Sequence, residues 1–173
     1  IVLIGDGSQE NVQAVRAHYQ APPDSFTARI EATADGAPVN EALSGLDLSA
    51  GDPEACEQAF ARVMARNVIN FAPGSAEIDA SSQALLDSLA SVALRCDRFV
   101  IEVSGHTDNQ GARPLNMDLS RQRAQAVADY LAAQAVAGDR LRVAGYGPDR
   151  PRQSNATPAG QAANRRIEFY VSG

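Results

Sequence analysis

The 173-residue sequence has no tryptophan, two cysteines, two histidines and only 5% aromatic residues. A chain this poor in aromatic rings lacks the stacking platform on which single-stranded nucleic acids are held. Its 15 Lys and Arg residues fall short of 21 Asp and Glu, giving a net charge of −6. Nucleic-acid binding needs basic surface to neutralise phosphates, so the charge balance argues against that partner as well. No run approaches the roughly 18 to 20 apolar residues that span a bilayer. The two cysteines have no CxxC partner, and neither a metal nor another cofactor is expected. Cys56 and Cys96 read either as a bonded pair, in an exported protein, or as two small buried thiols in a cytosolic one. The chain opens on IVLIGDGS, without a methionine or a basic leader. A piece of a longer protein is therefore expected, with any export signal or membrane anchor outside it.

What is present is an alternation of strand and helix patterns. Residues 1–50 read as a strand (Ile1–Ile4), a helix (about Gln9–Tyr19), a PPD turn and a strand (Phe26–Thr33), a small α/β unit with little core of its own. The stretch VNEALSGLDLSAGDPE separates it from a stronger pattern over residues 52–173. Asp52 reads as an N-cap with Pro53 in the first turn, and Cys56, Phe60, Val63 and Met64 share one helical face. NVINF (67–71) reads as a short strand. A second helix starts at Asp79 or Ser81 and turns Leu85, Leu89, Val92 and Cys96 inward. RFVIEVSG (98–105) alternates apolar and polar residues as a strand with one polar face. A long helix runs from Pro114 to about Ala135, and RLRVAGYG (140–147) and RRIEFYV (165–171) are strands joined by a Pro/Asn/Thr/Gly-rich connection. The expected class is α/β (α+β), helices laid on one mixed sheet.

The long helix contains an anomaly. Steps of four from Leu115 pass through Leu119, Arg123 and Val127, so Arg123 falls on the stripe that should face the core. Arg121 lies about 200° round the helix from Leu119 and points to water. A half-buried guanidinium requires an anion, because an unpaired buried charge is costly. An internal ion pair or a snorkelling side chain satisfies that demand. The sharper reading places Arg123 in a pocket that receives a carboxylate from outside, with Asp108 lining it at opposite charge. Such a pair suits a zwitterion. His106 and Asp108 make a poor catalytic dyad, because no Ser or Cys nucleophile stands in a setting such as GxSxG. His106 at a strand end is read as structural.

The stretches GHTDNQGARPLNMDLSRQRAQAVADYL, GYGPDRP and NRRIEF, in this order over residues 66–172, resemble the OmpA-like C-terminal domain of bacterial envelope proteins. That domain also occurs in the peptidoglycan-associated lipoprotein and in the flagellar stator protein MotB. The resemblance implies a βαβαβ(α)β domain that binds peptidoglycan non-covalently through the meso-diaminopimelate of its stem peptide. It implies that Asp108 holds the ligand ammonium and Arg123 its carboxylate, that Asn116 and Arg165 are further polar contacts, and that Thr107 and Leu119 shape the wall. It departs from many family members at Ala72, where they carry Asp after the Phe of the first strand, so only a backbone contact is implied there. It also implies an oxidising periplasm and a Cys56–Cys96 disulfide. The protein is then expected to anchor an outer-membrane protein, lipoprotein or pore to the wall, with its membrane attachment outside this segment. A MotB-like stator or transport component is the alternative, and a peptidoglycan hydrolase the disfavoured third. Residues 1–50 are similar to the small BON-type modules that precede this domain in some bacteria.

Overall fold

The computed structural model describes residues 2–5, 29–32, 43–48 and 51–173. The chain divides into two compact units, residues 1–44 and 45–173. In the first, β1 (Val2–Gly5) and β2 (Arg29–Ala32) pair in parallel, with Val2 opposite Arg29. The helix expected at Gln9–Tyr19 and the PPD turn lie outside the described residues.

The second unit starts with α1 (Pro53–Met64), capped as the sequence suggests: the Asp52 carboxylate accepts the Glu54 N–H at 2.9 Å. Cys56, Ala59, Phe60 and Val63 face inward, and the Phe60 ring stacks on Phe169 at 4.8 Å. Asp79 caps a 3-10 turn, Ala80–Ser82, that leads into α2 (Gln83–Arg95). The buried face of α2 comprises Leu86, Leu89, Val92 and small residues, with Leu85 at its margin. Cys56 and Cys96 form a disulfide that ties α1 to the end of α2. That end is closed by Arg140, whose guanidinium donates to the carbonyls of Ala93, Cys96 and Phe99. Last-turn carbonyls lack helical partners, and a cation suits the negative end of the helix.

β3 (Val100–His106) is the central strand, parallel to β4 (Leu141–Gly147) and antiparallel to β5 (Arg166–Ser172). Ile101, Val103, Ile167 and Phe169 form the core layer under the helices. The long α3 (Arg113–Ala133) crosses from β3 to β4, and a short α4 (Pro158–Asn164), capped by Thr157, precedes β5. The connection expected over 148–163 therefore ends in a helix. α3 lies directly on the strands because glycines meet it. A Cβ on Gly105 would stand 2.0 Å from the Ser120 carbonyl oxygen, and one on Gly145 would stand 2.6 Å from Arg121. Ser120, buried within α3, accepts the Gly147 N–H at 3.0 Å, where the β3–β4 register shifts.

Two sequence expectations need correction. NVINF is not a strand of the sheet. Among the described residues its only strand-like contact is an isolated bridge from Phe71 to Ile78. Its backbone groups are engaged locally instead: Asn70 N–H by the Ser82 hydroxyl, Asn70 C=O by Asp79, and Ala72 N–H by Glu77. Leu115 is not on the buried stripe of α3 but is 71% exposed. The sheet ends at Gly147, which meets α3 at Met117, so the first helical turn overhangs it. The polar face of β3 carries Ser104 and His106, both buried.

Candidate functional site

The helix α3 delivers Arg123 to the end of the sheet, beside the turn that replaces the expected first strand. Phe71 ends the NVINF stretch, and a Pro73–Gly74 turn follows, with Gly74 at φ 65°. Ser75 N–H closes this turn on the Ala72 carbonyl at 3.0 Å, and the carbonyl of Ser75 accepts Arg123 Nε at 2.8 Å. The guanidinium carbon lies 5.0 Å from the centre of the Phe71 ring. Among the described residues, only Nε of this side chain has a hydrogen-bond partner, so the two Nη groups of the fork are uncommitted. Burial pushes the Arg123 pKa down, the nearby Arg165 adds to the shift, and Asp108 opposes it. Arg123 is therefore a cation held in a place that disfavours its charge.

The loop after β3 presents Asp108. Thr107 N–H continues the strand pairing to the Gly147 carbonyl, and its hydroxyl donates to Asp108 C=O at 2.8 Å. One carboxylate oxygen of Asp108 accepts Gln110 N–H at 3.0 Å, an Asx turn. The other accepts Arg165 Nη1 at 2.6 Å. Asn116, in the first turns of α3, donates to the Gln110 carbonyl at 2.7 Å and closes the loop.

A cavity of about 480 Å³ opens here, lined among others by Phe71, Pro73, Gly74, His106, Arg123 and Arg165. Of the six candidate ligand residues, Arg123 and Arg165 line it directly. Asp108 joins through its ion pair with Arg165. Thr107 and Asn116 hold the backbone that presents Asp108, and Leu119 is half-buried on α3 away from the lining. Sequence reasoning missed Phe71, Pro73 and Gly74 as a wall; an aromatic residue two positions before a Pro-Gly turn was the available signal.

His106 is 2% exposed. Its Nε2 lies 3.3 Å from the Ser104 hydroxyl and 3.5 Å from Glu168, while Nδ1 has no hydrogen-bond partner. Burial, with help from Arg166, lowers its pKa to about 4, so the ring is neutral near pH 7. The contact with Glu168 is therefore between a neutral imidazole and a carboxylate. Among the described residues no group of three or more His, Cys, Asp or Glu could hold a metal ion, and no helix is long and apolar enough to cross a membrane. Chemically, the cavity offers an unsatisfied guanidinium fork, a carboxylate paired to a second guanidinium, and an aromatic wall.

The family model for the OmpA family matches residues 70–165. The chain belongs to the OmpA family. It is 40% identical over 104 residues to the peptidoglycan-binding protein ArfA of Mycobacterium tuberculosis, covering 60% of this chain and 32% of ArfA. It is 35% identical over 130 residues to the peptidoglycan-associated lipoprotein of Rhizobium meliloti, covering 75% of this chain and 74% of that protein. Among solved structures, the cell wall anchor of the T6SS from Pseudomonas aeruginosa matches with a TM-score of 0.53 and 37% identity, over 58% of this chain and 73% of that one. The chain thus spans about a third of the length of ArfA.

Proposed function

We propose that the OmpA-like domain, residues 52–173, binds peptidoglycan non-covalently through the meso-diaminopimelate of the stem peptide, and that it is a binding module rather than an enzyme. The observation that carries this reading is the Arg123 fork. It is held by a single carbonyl at the wall of an open cavity, with Asp108 joined to Arg165 at the rim. Diaminopimelate ends its side chain in an amino-acid head, one ammonium and one carboxylate. The carboxylate completes the Arg123 fork with charge-assisted hydrogen bonds, Arg165 lies within the same wall, and Asp108 takes the ammonium. Thr107 and Asn116 act through the loop that positions Asp108. The names of ArfA, of the Rhizobium lipoprotein and of the Pseudomonas wall anchor support the same partner.

A few such bonds in a wet pocket give at best about micromolar affinity per stem peptide, roughly −8 kcal/mol. The wall presents many copies, and avidity makes attachment firm. The domain works in the periplasm, with residues 1–50 as a separate small α/β unit and with the membrane attachment supplied from outside this segment. The test is retention on purified sacculi containing diaminopimelate beside sacculi with lysine at that position. Lysine ends in an ammonium alone and offers nothing to Arg123. Retention on the first and not the second is expected; equal retention on both refutes zwitterion recognition.

A further inference from the structure

With NVINF displaced from the sheet, the outer edge of β5 pairs with no strand among the described residues. The Val171 N–H on that edge is taken by the Glu57 carboxylate at 3.1 Å. By the alternation of antiparallel pairing, the N–H and C=O groups of Ile167 and Phe169 point the same way, away from β3. Along this edge runs a groove of about 760 Å³ between β5 on one side and α1 with residues 66–69 on the other. The groove adjoins the Arg123 cavity, since Val68, Ile69, Arg165 and Arg166 line both.

Its charge is uneven. Arg66 and Arg152 line it without a carboxylate partner among the described residues, while Arg166 is paired with Glu168 and Arg165 with Asp108. The Arg152 main chain is held by its N–H donating at 2.7 Å to the side chain of Asn164, the residue before Arg165 of the shared wall, and Arg66 lies two residues before Val68 of that wall. Glu57 stands at the opposite end, on Val171. An extended chain lying along β5 would therefore meet free cations beside the cavity and an anion far from it.

We propose that this groove is a second subsite, which lays the stem peptide along the β5 edge and receives a carboxylate on Arg66 and Arg152. The inference rests on the diaminopimelate reading. In a stem peptide the residue before diaminopimelate is D-glutamate joined through its γ-carboxyl, and its α-carboxylate is free. A diaminopimelate head seated on Arg123 leaves its own main chain three methylenes away, at the shared wall, so the neighbouring α-carboxylate enters the arginine end of the groove. Single hydrogen bonds from its amides to the open Ile167 and Phe169 groups supply affinity, and the arginines supply selection for the free acid.

The test titrates three probes against the wild-type chain and the Arg66→Gln/Arg152→Gln double variant: free meso-diaminopimelate, the tripeptide L-Ala-γ-D-Glu-meso-diaminopimelate, and the same tripeptide with the glutamate α-carboxylate amidated. The wild type should bind the acid tripeptide roughly tenfold tighter than its amide, about what two exposed ion pairs supply. The double variant should bind both tripeptides alike, with its affinity for free diaminopimelate unchanged. Equal binding of acid and amide by the wild type overturns the subsite while leaving the diaminopimelate reading intact. Binding of none of the probes overturns both. Self-association of the chain through the β5 edge, read by sedimentation in the same samples, would fill the groove with a second copy and overturn it too.

Discussion

Replacing Arg123 with lysine keeps a positive charge in the cavity and removes the planar fork. The Nε–H that donates to Ser75 C=O disappears, the stacking over Phe71 weakens, and the remaining ammonium sits as a point charge. A carboxylate bound by two parallel N–H groups would keep one. A hydrogen bond to a charged group contributes about 1.5 to 3 kcal/mol, so affinity for a diaminopimelate tripeptide should fall roughly ten- to a hundredfold by calorimetry. The side chain stays a cation, so its burial cost is unchanged and the fold loses chiefly the bond to Ser75 C=O, about 1 kcal/mol; Tm should fall by no more than about 4 to 8 °C. The chain contains no lysine, so the introduced ε-amine is the only one and its NMR resonance reports ligand contact directly. Wild-type affinity in a folded Arg123→Lys protein would refute fork recognition of the carboxylate.

Three further outcomes follow from the packing. The Cys56–Cys96 bridge closes a loop at a sequence separation of 40. Chain entropy then assigns it about 4 kcal/mol, which the Cys56→Ala/Cys96→Ala variant should lose in urea denaturation; a loss under about 1 kcal/mol refutes that account. Gly105→Ala drives a methyl into the Ser120 carbonyl, which can move only with the whole of α3, so it should cost about 3 kcal/mol or more; a near-neutral result refutes the close helix–sheet contact. His106 takes up a proton near pH 6.5 when unfolded, but only near about 4 when folded. Protonation therefore favours the unfolded chain, and stability that is complete above pH 6.5 falls by roughly 2 kcal/mol between pH 6.5 and 5. Glu168, with its pKa lowered, contributes in the same direction only below about 4.5. His106→Gln should flatten the upper window, and an unchanged slope would show that another group sets it.

The sequence was most legible where local chemistry and long-range packing agree. Asp52 followed by Pro53 marked the start of α1, and the arginine on the apolar stripe of α3 marked the cavity through helical periodicity alone. The motif order identified the family, which the match over residues 70–165 bears out. NVINF misled because Val68 and Ile69 satisfy a strand pattern, whereas the Ser82 hydroxyl and the turn over residues 72–77 take up the backbone groups that a sheet would need. Leu115 misled because periodicity locates a face but not where the neighbouring sheet ends. Arg165 came from the family motif alone. Its ion pair with Asp108 spans 57 positions, a distance over which no local pattern speaks.

That ion pair changes what the two ends of a zwitterion should be worth. Both oxygens of Asp108 already have partners, Gln110 N–H and Arg165, before any ligand arrives. An incoming ammonium must share or displace a guanidinium, and its net gain is that of an exchanged ion pair, about 0 to 1 kcal/mol. The carboxylate instead meets a fork with two uncommitted nitrogens in a partly desolvated site, where a new charge-assisted bond contributes about 1.5 to 3 kcal/mol. The carboxylate should therefore dominate. A tripeptide whose diaminopimelate lacks the distal amine but keeps the distal carboxylate should lose less than about fivefold in affinity. The lysine tripeptide, with the amine and no carboxylate, should lose at least about tenfold. If the two losses are reversed, Arg165 releases Asp108 on binding, and the ammonium rather than the carboxylate is the group this cavity selects.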